Sequence, residues 1–282
     1  MKRAALACLL LLSGCGPNTP LSSFFAPKHD NAWLGYGEGD YAFIAAPQGG
    51  WVTNLLVERG QTVHRGDLLF TLDSTEEQAT RDQAEATLAQ ARASLAQEEA
   101  NLAYTTKELA RQNGLAQVNA GTPATRDQAL SNAEQSRAHI SQLQGQIRQM
   151  EASLTGASYT LSQRKIVAQT EGPVEDIYFW PGEYVAPATS VVSVLPPANV
   201  YVRFFVPETE FAKVRLGQKV RITCDGCKPM TGAVTFIASQ EEYTPPVIFS
   251  VGSREKLVFK VEARAPGGLP IHPGQPVDVS PL

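Results

Sequence analysis

The stretch Ile44–Leu72 reads IAAPQGGWVTNLLVERGQTVHRGDLLFTL, and Ile166–Val194, 122 residues further on, reads IVAQTEGPVEDIYFWPGEYVAPATSVVSV. The two align without a gap. Ile44/Ile166, Ala46/Ala168, Gly50/Gly172, Val52/Val174, Gly60/Gly182 and Val63/Val185 are identical, and Leu55/Ile177, Leu69/Val191 and Leu72/Val194 are conservative. Each copy carries short β-type runs: Trp51-Val52, Leu55–Val57 and Leu68–Leu72 in the first; Val174, Ile177–Phe179 and Val191–Leu195 in the second. Gly60 and Gly182 sit in the turns Arg59-Gly60-Gln61 and Pro181-Gly182-Glu183, where the turn chemistry predicts positive φ. Two half-units of four short strands predict one small β-sandwich paired about a pseudo-twofold axis, with the intervening chain leaving from its middle.

That intervening chain has a different character. Between Pro47 and Pro173 the only proline is Pro123, and Ser74–Arg164 contains no Phe or Trp but abundant Ala, Gln, Glu, Arg and Leu, a composition that favours long helix. Leu88, Leu95, Leu102 and Leu109 recur every seven residues, with Ala84, Ala91, Glu98 and Thr105 between them. Beyond a break at Gly114, Gly121 and Pro123, Leu130, Arg137, Gln144 and Glu151 alternate with Ala133, Ile140, Ile147, Leu154 and Leu161. Two heptad arms predict an antiparallel helical hairpin, each arm of about 38 residues spanning roughly 57 Å. Glu98, Gln112, Arg137, Gln144 and Glu151 fall in these seams, and Gly145 and Gly156 each cost about 1 kcal/mol relative to Ala. Either the isolated coiled coil is weak, or neighbouring copies in an assembly complete it.

After Pro196-Pro197 the pattern alternates as β, in Val200–Val206, Lys219–Thr223, Gly232–Ile237 and Leu257–Ala263, with Pro276–Ser280 closing after the turn Pro273-Gly274. This segment predicts a small antiparallel β-barrel or sandwich. The expected fold class is α+β: a split biotinyl/lipoyl-like β-sandwich (33–73 and 165–197), interrupted by the hairpin (74–164) and followed by an antiparallel β-barrel (198–282).

Composition narrows the function. Lys and Arg number 24 against 28 Asp and Glu, a formal charge of −4 with no basic run, which argues against nucleic acid as a partner. Apolar residues at 43% and charged at 18% suit a folded chain. A mean hydropathy of −0.17 and the lack of any apolar stretch of about 18 residues exclude a polytopic membrane protein. His29, His64, His139 and His272 stand far apart, with no metal-ligand spacing. At the N-terminus, Lys2-Arg3, the apolar Ala4–Leu12 and then Ser13-Gly14 describe a secretory signal peptide over residues 1–14, followed by a linker over 15–32. Leu12-Ser13-Gly14-Cys15 also resembles the bacterial lipobox, which implies cleavage before Cys15 and its lipidation; a plain signal peptide with an incidental cysteine is the alternative. Gly16-Pro17 follow, without the aspartate that commonly signals inner-membrane retention, so the leaflet stays open.

The half-motif Ala46-Pro47, Gly50-Trp51-Val52, Val57–Val63, Gly66–Leu69 and Leu72-Asp73, its second copy and the hairpin between them resemble the HlyD-like membrane-fusion proteins, periplasmic adaptor subunits of tripartite export pumps. Pro207-Glu208 with Gly217–Val220, and Gly274–Val277, resemble that family's barrel. Glu242-Tyr243-Thr244-Pro245 followed by Lys256–Val261 looks like the ABC-transporter-associated branch. Adaptors that dock on TolC-type channels carry Arg-x3-Leu-x6-Ser at the hairpin turn; Arg111, Leu115 and Thr122 reproduce the spacing with Thr in place of Ser. The resemblance implies a lipid-anchored periplasmic adaptor at the inner membrane, joining an ABC-type exporter to a TolC-type outer-membrane channel and working as a hexamer without a cofactor. On that reading Arg111 caps carbonyls at the channel's helical tips, Leu115 fills a groove and Thr122 caps the returning helix. An ordinary helix end with a Thr-Pro N-cap would use the same residues.

Competing readings find less. A biotinyl or lipoyl carrier presents a lysine between its halves, where this chain has Asp73-Ser74-Thr75 and the hairpin. Cys224-Asp225-Gly226-Cys227 follows a β-run with a hairpin-turn signal, which favours a disulfide stapling a turn in an oxidising compartment; free thiols, a metal ligand pair and a redox site remain the other possibilities. There is no G-x-S-x-G, H-E-x-x-H or phosphate loop, so no enzyme is expected. A lipid-anchored scaffold with a non-channel partner, or the adaptor of a proton-driven pump, remains the alternative. The short segment beyond the barrel motifs leaves no room for a full extra membrane-proximal domain and favours the ABC partner.

Overall fold

The computed structural model describes residues 32–243 and 257–282. Cys15, Thr244, Pro245 and Lys256 lie outside the described residues. Gly39–Val200 forms one compact unit, and Tyr201–Leu282 with the described residues up to Glu38 another.

The first unit contains β2 (Ala42–Ala45), β3 (Gly50–Leu55), β4 (Thr62–Val63) and β5 (Leu68–Leu72), the helices α1 (Thr75–Gln117) and α2 (Pro123–Ser162), and then β6 (Lys165–Val167), β7 (Gly172–Ile177), β8 (Tyr184–Val185) and β9 (Ser190–Val194). One sheet runs β2-β9-β7-β4 and the other β6-β5-β3-β8, so each takes two strands from each sequence half. Shifting every residue by 122 carries the first sheet onto the second. The register follows: Val52 faces Leu72 as Val174 faces Val194, with a bulge after Val52 in one pair and after Val174 in the other. Gly60 donates its N–H to Val174 and Gly182 donates to Val52, both at 2.8 Å, with the positive φ the turns require. The core is duplicated in the same way, since Ile44, Ala46, Val52, Val63, Leu69, Phe70 and Leu72 are buried with Ile166, Ala168, Val174, Val185, Val191, Val192 and Val194. Two interlocked halves close one core that four two-to-six-residue strands could not close alone.

The symmetry exposes one strained position. Gly66 (φ +97°) bonds Ala168 O, and its counterpart Ala188 (φ +60°) bonds Ala46 O, both at 2.8 Å. The second half thus holds a left-handed conformation without glycine, which costs roughly 1 kcal/mol. Ala188 is exposed, so Ala188→Gly is expected to raise unfolding free energy by about 1 kcal/mol in denaturant titration; a loss of stability would show that the Ala188 methyl group outweighs the strain.

The second unit is a six-stranded closed barrel. Its strands are β1 (Trp33–Gly39), β10 (Val200–Pro207), β11 (Lys219–Thr223), β12 (Met230–Tyr243), β13 (Leu257–Arg264) and β14 (Pro276–Pro281), in the order β1-β10-β13-β12-β11-β14, with the single-turn α3 (Glu208–Phe211) after β10. Trp33 faces Val279 and Tyr36 faces Pro276. Sequence reading put residues 33–39 in the first lipoyl-like half; the structure pairs them with a strand more than 230 residues away, because closure needs a sixth strand that Tyr201–Leu282 does not supply. Trp33 stacks on Phe204 inside the barrel (centroids 5.6 Å apart) and donates its indole N–H to Glu210 at 2.7 Å. Arg203 bridges Glu38 and Glu262 across β10 and its neighbours, at 2.9 and 3.0 Å.

The helices pack along one seam. Ala84, Leu88, Ala91, Leu95, Glu98, Leu102, Thr105 and Leu109 turn inward from α1, as the heptads predict. On α2 the inward positions are Ala129, Ala133, Ser136, Ile140, Leu143, Ile147, Met150, Leu154, Ala157 and Leu161. This corrects one half of the predicted α2 seam: Leu130, Arg137, Gln144 and Glu151 are exposed, and their predecessors Ala129, Ser136, Leu143 and Met150 take the positions. Adjacent columns share the seven-residue period, and the small Ala129 and Ser136 allow close approach where the larger Leu130 drew the reading outward. The seam is therefore less polar than the sequence suggested. Its main polar insertion, Glu98, accepts from Asn101 Nδ2 at 3.0 Å, Asn101 also reaches the Ser136 hydroxyl at 3.1 Å, and His139 Nδ1 lies 3.2 Å from the other Glu98 oxygen. Hydrogen bonds from Asn101, then Ser136 and His139, hold the Glu98 carboxyl below the usual range. Such a cluster fixes the register of the two arms, as a polar residue at one core position does in a coiled coil.

Candidate docking tip of the hairpin

With 43 residues, α1 reaches about 65 Å from the sandwich. It ends in a Schellman arrangement. Asn119 adopts φ +56°, its N–H bonds Ala116 O at 3.2 Å, and the Ala120 N–H bonds Leu115 O at 2.9 Å. These two bonds satisfy carbonyls that the helix end would leave orphaned, and Asn is the side-chain-bearing residue that best tolerates that conformation. Gly121 then passes beneath Leu115, where a Cβ would come within 3.3 Å of the Leu115 Cβ. Thr122 opens α2 as its N-cap, accepting from the Thr125 N–H at 3.2 Å, with Pro123 at the first helical position.

The three predicted tip residues thus gather at one end of the hairpin, with distinct environments. Leu115 is 36% exposed beside Gly121. Thr122 is engaged in capping. Arg111 is exposed but not free: its Nη2 contacts both oxygens of Glu108, at 2.7 and 2.6 Å. The Glu108 carboxyl is held below its ordinary range, first by Arg111 and then by Gln112. Two tip residues escaped the sequence reading. Glu108 is the partner of Arg111, and Val118, at the helix C-cap, is 70% exposed. The available signal was an isolated apolar residue directly before Asn-Ala-Gly.

The opposite end is anchored. Asp73 accepts from the Thr75 N–H and hydroxyl at 3.1 and 2.7 Å, which start α1 and hold the Asp73 carboxyl low. Arg164, just after α2, donates to Gly49 O in the sandwich at 2.7 Å and to Glu77 on α1. Both members of this ion pair are nearly buried, at 13% and 12% side-chain exposure. One guanidinium therefore ties both helices to the sheet, a role with no local sequence signature.

Cys224 and Cys227 are joined as a disulfide with Cα atoms 5.4 Å apart, across a turn in which Gly226 has φ +78° and the Cys227 N–H bonds Cys224 O. No cluster of three or more His, Cys, Asp or Glu able to hold a metal occurs among the described residues. No described helix is long and apolar enough to cross a membrane.

Comparison with known proteins agrees with this architecture. Residues 87–164 match the family model described as the alpha-helical hairpin domain of RND membrane-fusion proteins. MacA from Actinobacillus actinomycetemcomitans shares the fold, with a TM-score of 0.68 at 20% identity over 89% of this chain and 77% of that one. The membrane fusion protein Spr0693 from Streptococcus pneumoniae superposes with a TM-score of 0.55 at 18% identity, over 89% of this chain and 98% of that one. In sequence, a UPF0194 membrane protein of Acidithiobacillus ferridurans is 33% identical over 122 residues, 43% of this chain and 36% of that protein. The chain thus matches little more than a third of the length of that curated relative, and 41% of a second from Haemophilus influenzae. The matched hairpin and the shared fold agree with the resemblance of the duplicated half-motif to the HlyD-like membrane-fusion proteins.

Proposed function

We propose that the chain is a periplasmic adaptor, without enzymatic activity, that links an inner-membrane exporter to a TolC-type outer-membrane channel. The observation that carries this reading is the tip. A hairpin of about 65 Å, anchored at its base by Arg164, ends in an ordered turn that presents Arg111, Leu115 and Thr122 together. The exporter is of the ABC type, supported by the resemblance of Glu242–Pro245 and Lys256–Val261 to that branch. Lipidation at Cys15 holds the protein at the inner membrane, and copies assemble as a hexamer whose hairpins form a tube. In Cys15→Ser, metabolic labelling with palmitate should disappear; persistent labelling would remove the lipid anchor from this scheme.

In-cell photocrosslinking tests the docking itself. A photoreactive probe at Leu115 should give an adduct with the outer-membrane channel, while a probe at the exposed Tyr104 on the arm should not. Adducts restricted to other copies or to a different periplasmic protein, with the channel confirmed present, would leave a tethered scaffold as the better description.

A further inference from the structure

We propose that Cys224–Cys227 is an exchange-active disulfide on the barrel, opened reversibly at Cys227 by a reducing thiol, with Gln275 as the positioning residue that receives the departing Cys224 thiolate. The bond is then a redox-sensitive site and not a structural staple.

The turn holds without the bond. The Cys227 N–H bonds the Cys224 carbonyl at 3.2 Å, Gly226 takes the left-handed conformation the turn requires, and Ile222 faces Met230 across β11 and β12. A loop this short constrains the unfolded chain least, so a covalent link here adds little to the fold. Both cysteines are half-buried and stand beside the exposed Asp225, Gly226 and Lys228, within reach of a thiol from solvent.

Each sulfur also has a hydrogen-bond partner suited to its reduced form. Gln275 Nε2 lies 3.3 Å from Cys224 Sγ. Its amide is oriented by the other end, where Oε1 accepts from the His272 N–H at 3.1 Å. Its backbone is held by β1, since Gln275 O accepts from the Gly37 N–H at 2.8 Å and the neighbouring Gly274 N–H donates to Gly37 O at 2.9 Å. A donor so fixed gains little from a disulfide sulfur but makes a charge-assisted bond to a thiolate. Cys227 Sγ lies 3.3 Å from Cys224 O, where a thiol S–H can donate and a disulfide sulfur cannot.

These partners assign the two sulfurs different roles. The reductant's thiolate attacks Cys227 Sγ and forms a mixed disulfide there. The Cys224–Cys227 bond breaks, and its electron pair leaves on Cys224, facing Gln275. A second reductant thiolate then attacks the reductant's sulfur in the mixed disulfide and releases Cys227, and both cysteines take up protons. Two electrons and two protons pass from the two thiols to the cysteine pair, and the reductant leaves as its disulfide.

The test treats the purified full chain with millimolar reduced glutathione, alkylates it, and weighs the peptide that carries both cysteines. The native chain should open, close again in oxidised glutathione, and melt within a few degrees in either state. A bond that stays closed until denaturant is added, or a barrel that unfolds on reduction, would identify a staple and overturn the inference. Gln275→Glu keeps the acceptor for His272 but replaces the donor with a carboxylate; it should slow opening roughly tenfold with melting unchanged, and an unaltered rate would remove Gln275 from the scheme. In cells, Cys224→Ser should trap the mixed disulfide on Cys227, and Cys227→Ser should trap at least about fivefold less. A shifted band on a non-reducing gel would make the reductant a protein, and a small added mass a low-molecular-weight thiol. Equal trapping in the two variants, or none in either, would overturn the assigned roles.

Discussion

Leu115→Asp is expected to abolish export while the protein accumulates and melts as the parent does. The change is tolerable in the free chain because Leu115 is over a third exposed and sits outside the buried part of the seam. An acidic residue near the C-terminus of α1 meets the negative end of the helix dipole, at a cost of about 0.3–1 kcal/mol at an exposed site. Docking is a different matter. A carboxylate driven into an apolar groove without a partner costs roughly 2–5 kcal/mol, about 30- to several-thousand-fold in affinity. The check is an export assay paired with thermal melting of the purified variant. If the melting transition collapses, Leu115 serves the hairpin and its assignment as an interface residue is wrong.

Arg164→Ala should produce the largest loss of stability. It removes the bond to Gly49 O and leaves Glu77 as an unpaired carboxylate at 12% exposure. Breaking a buried pair from one side costs about 3–5 kcal/mol, because the surviving charge stays desolvated. For a unit of this size that corresponds to a fall of roughly 6–20 °C in the melting temperature. The double variant Arg164→Ala/Glu77→Ala should recover part of that loss, since no charge is stranded. A single-variant effect below about 1 kcal/mol would mean that the pair behaves as a solvated surface bridge. Loosening this point should also misdirect a hairpin whose tip is some 65 Å away.

The same contrast between local and distant partners separates what sequence reading reached from what it missed. The sandwich was legible because its signal is written twice. Identical residues 122 positions apart impose equivalent environments, and the turn glycines Gly60 and Gly182 mark equivalent corners. The α1 seam was legible because leucine every seventh residue has one reading. The α2 seam was half misread at Leu130, Arg137, Gln144 and Glu151, since helical periodicity fixes a period but not which of two neighbouring columns faces the partner. That choice depended on the closeness of the two arms, which favours Ala129 and Ser136. At the tip, the spacing from Arg111 to Leu115 to Thr122 was visible in sequence. The engagement of Arg111 by Glu108 and the exposure of Val118 depended on where the turn places each side chain.

What the amino-acid sequence determined by itself is the α+β plan: a duplicated β-sandwich opened by a long hairpin and followed by alternating β. Such features arise from residue period, turn chemistry and repetition, all expressed within a few tens of residues. Only the tertiary structure decided that Trp33–Gly39 joins the barrel, that Ser136 and not Arg137 enters the seam, and that Arg164 ties Gly49 to Glu77. Each of these is a contact between residues distant in the chain, chosen by burial and hydrogen-bond satisfaction across the folded molecule, and no local pattern records such a choice.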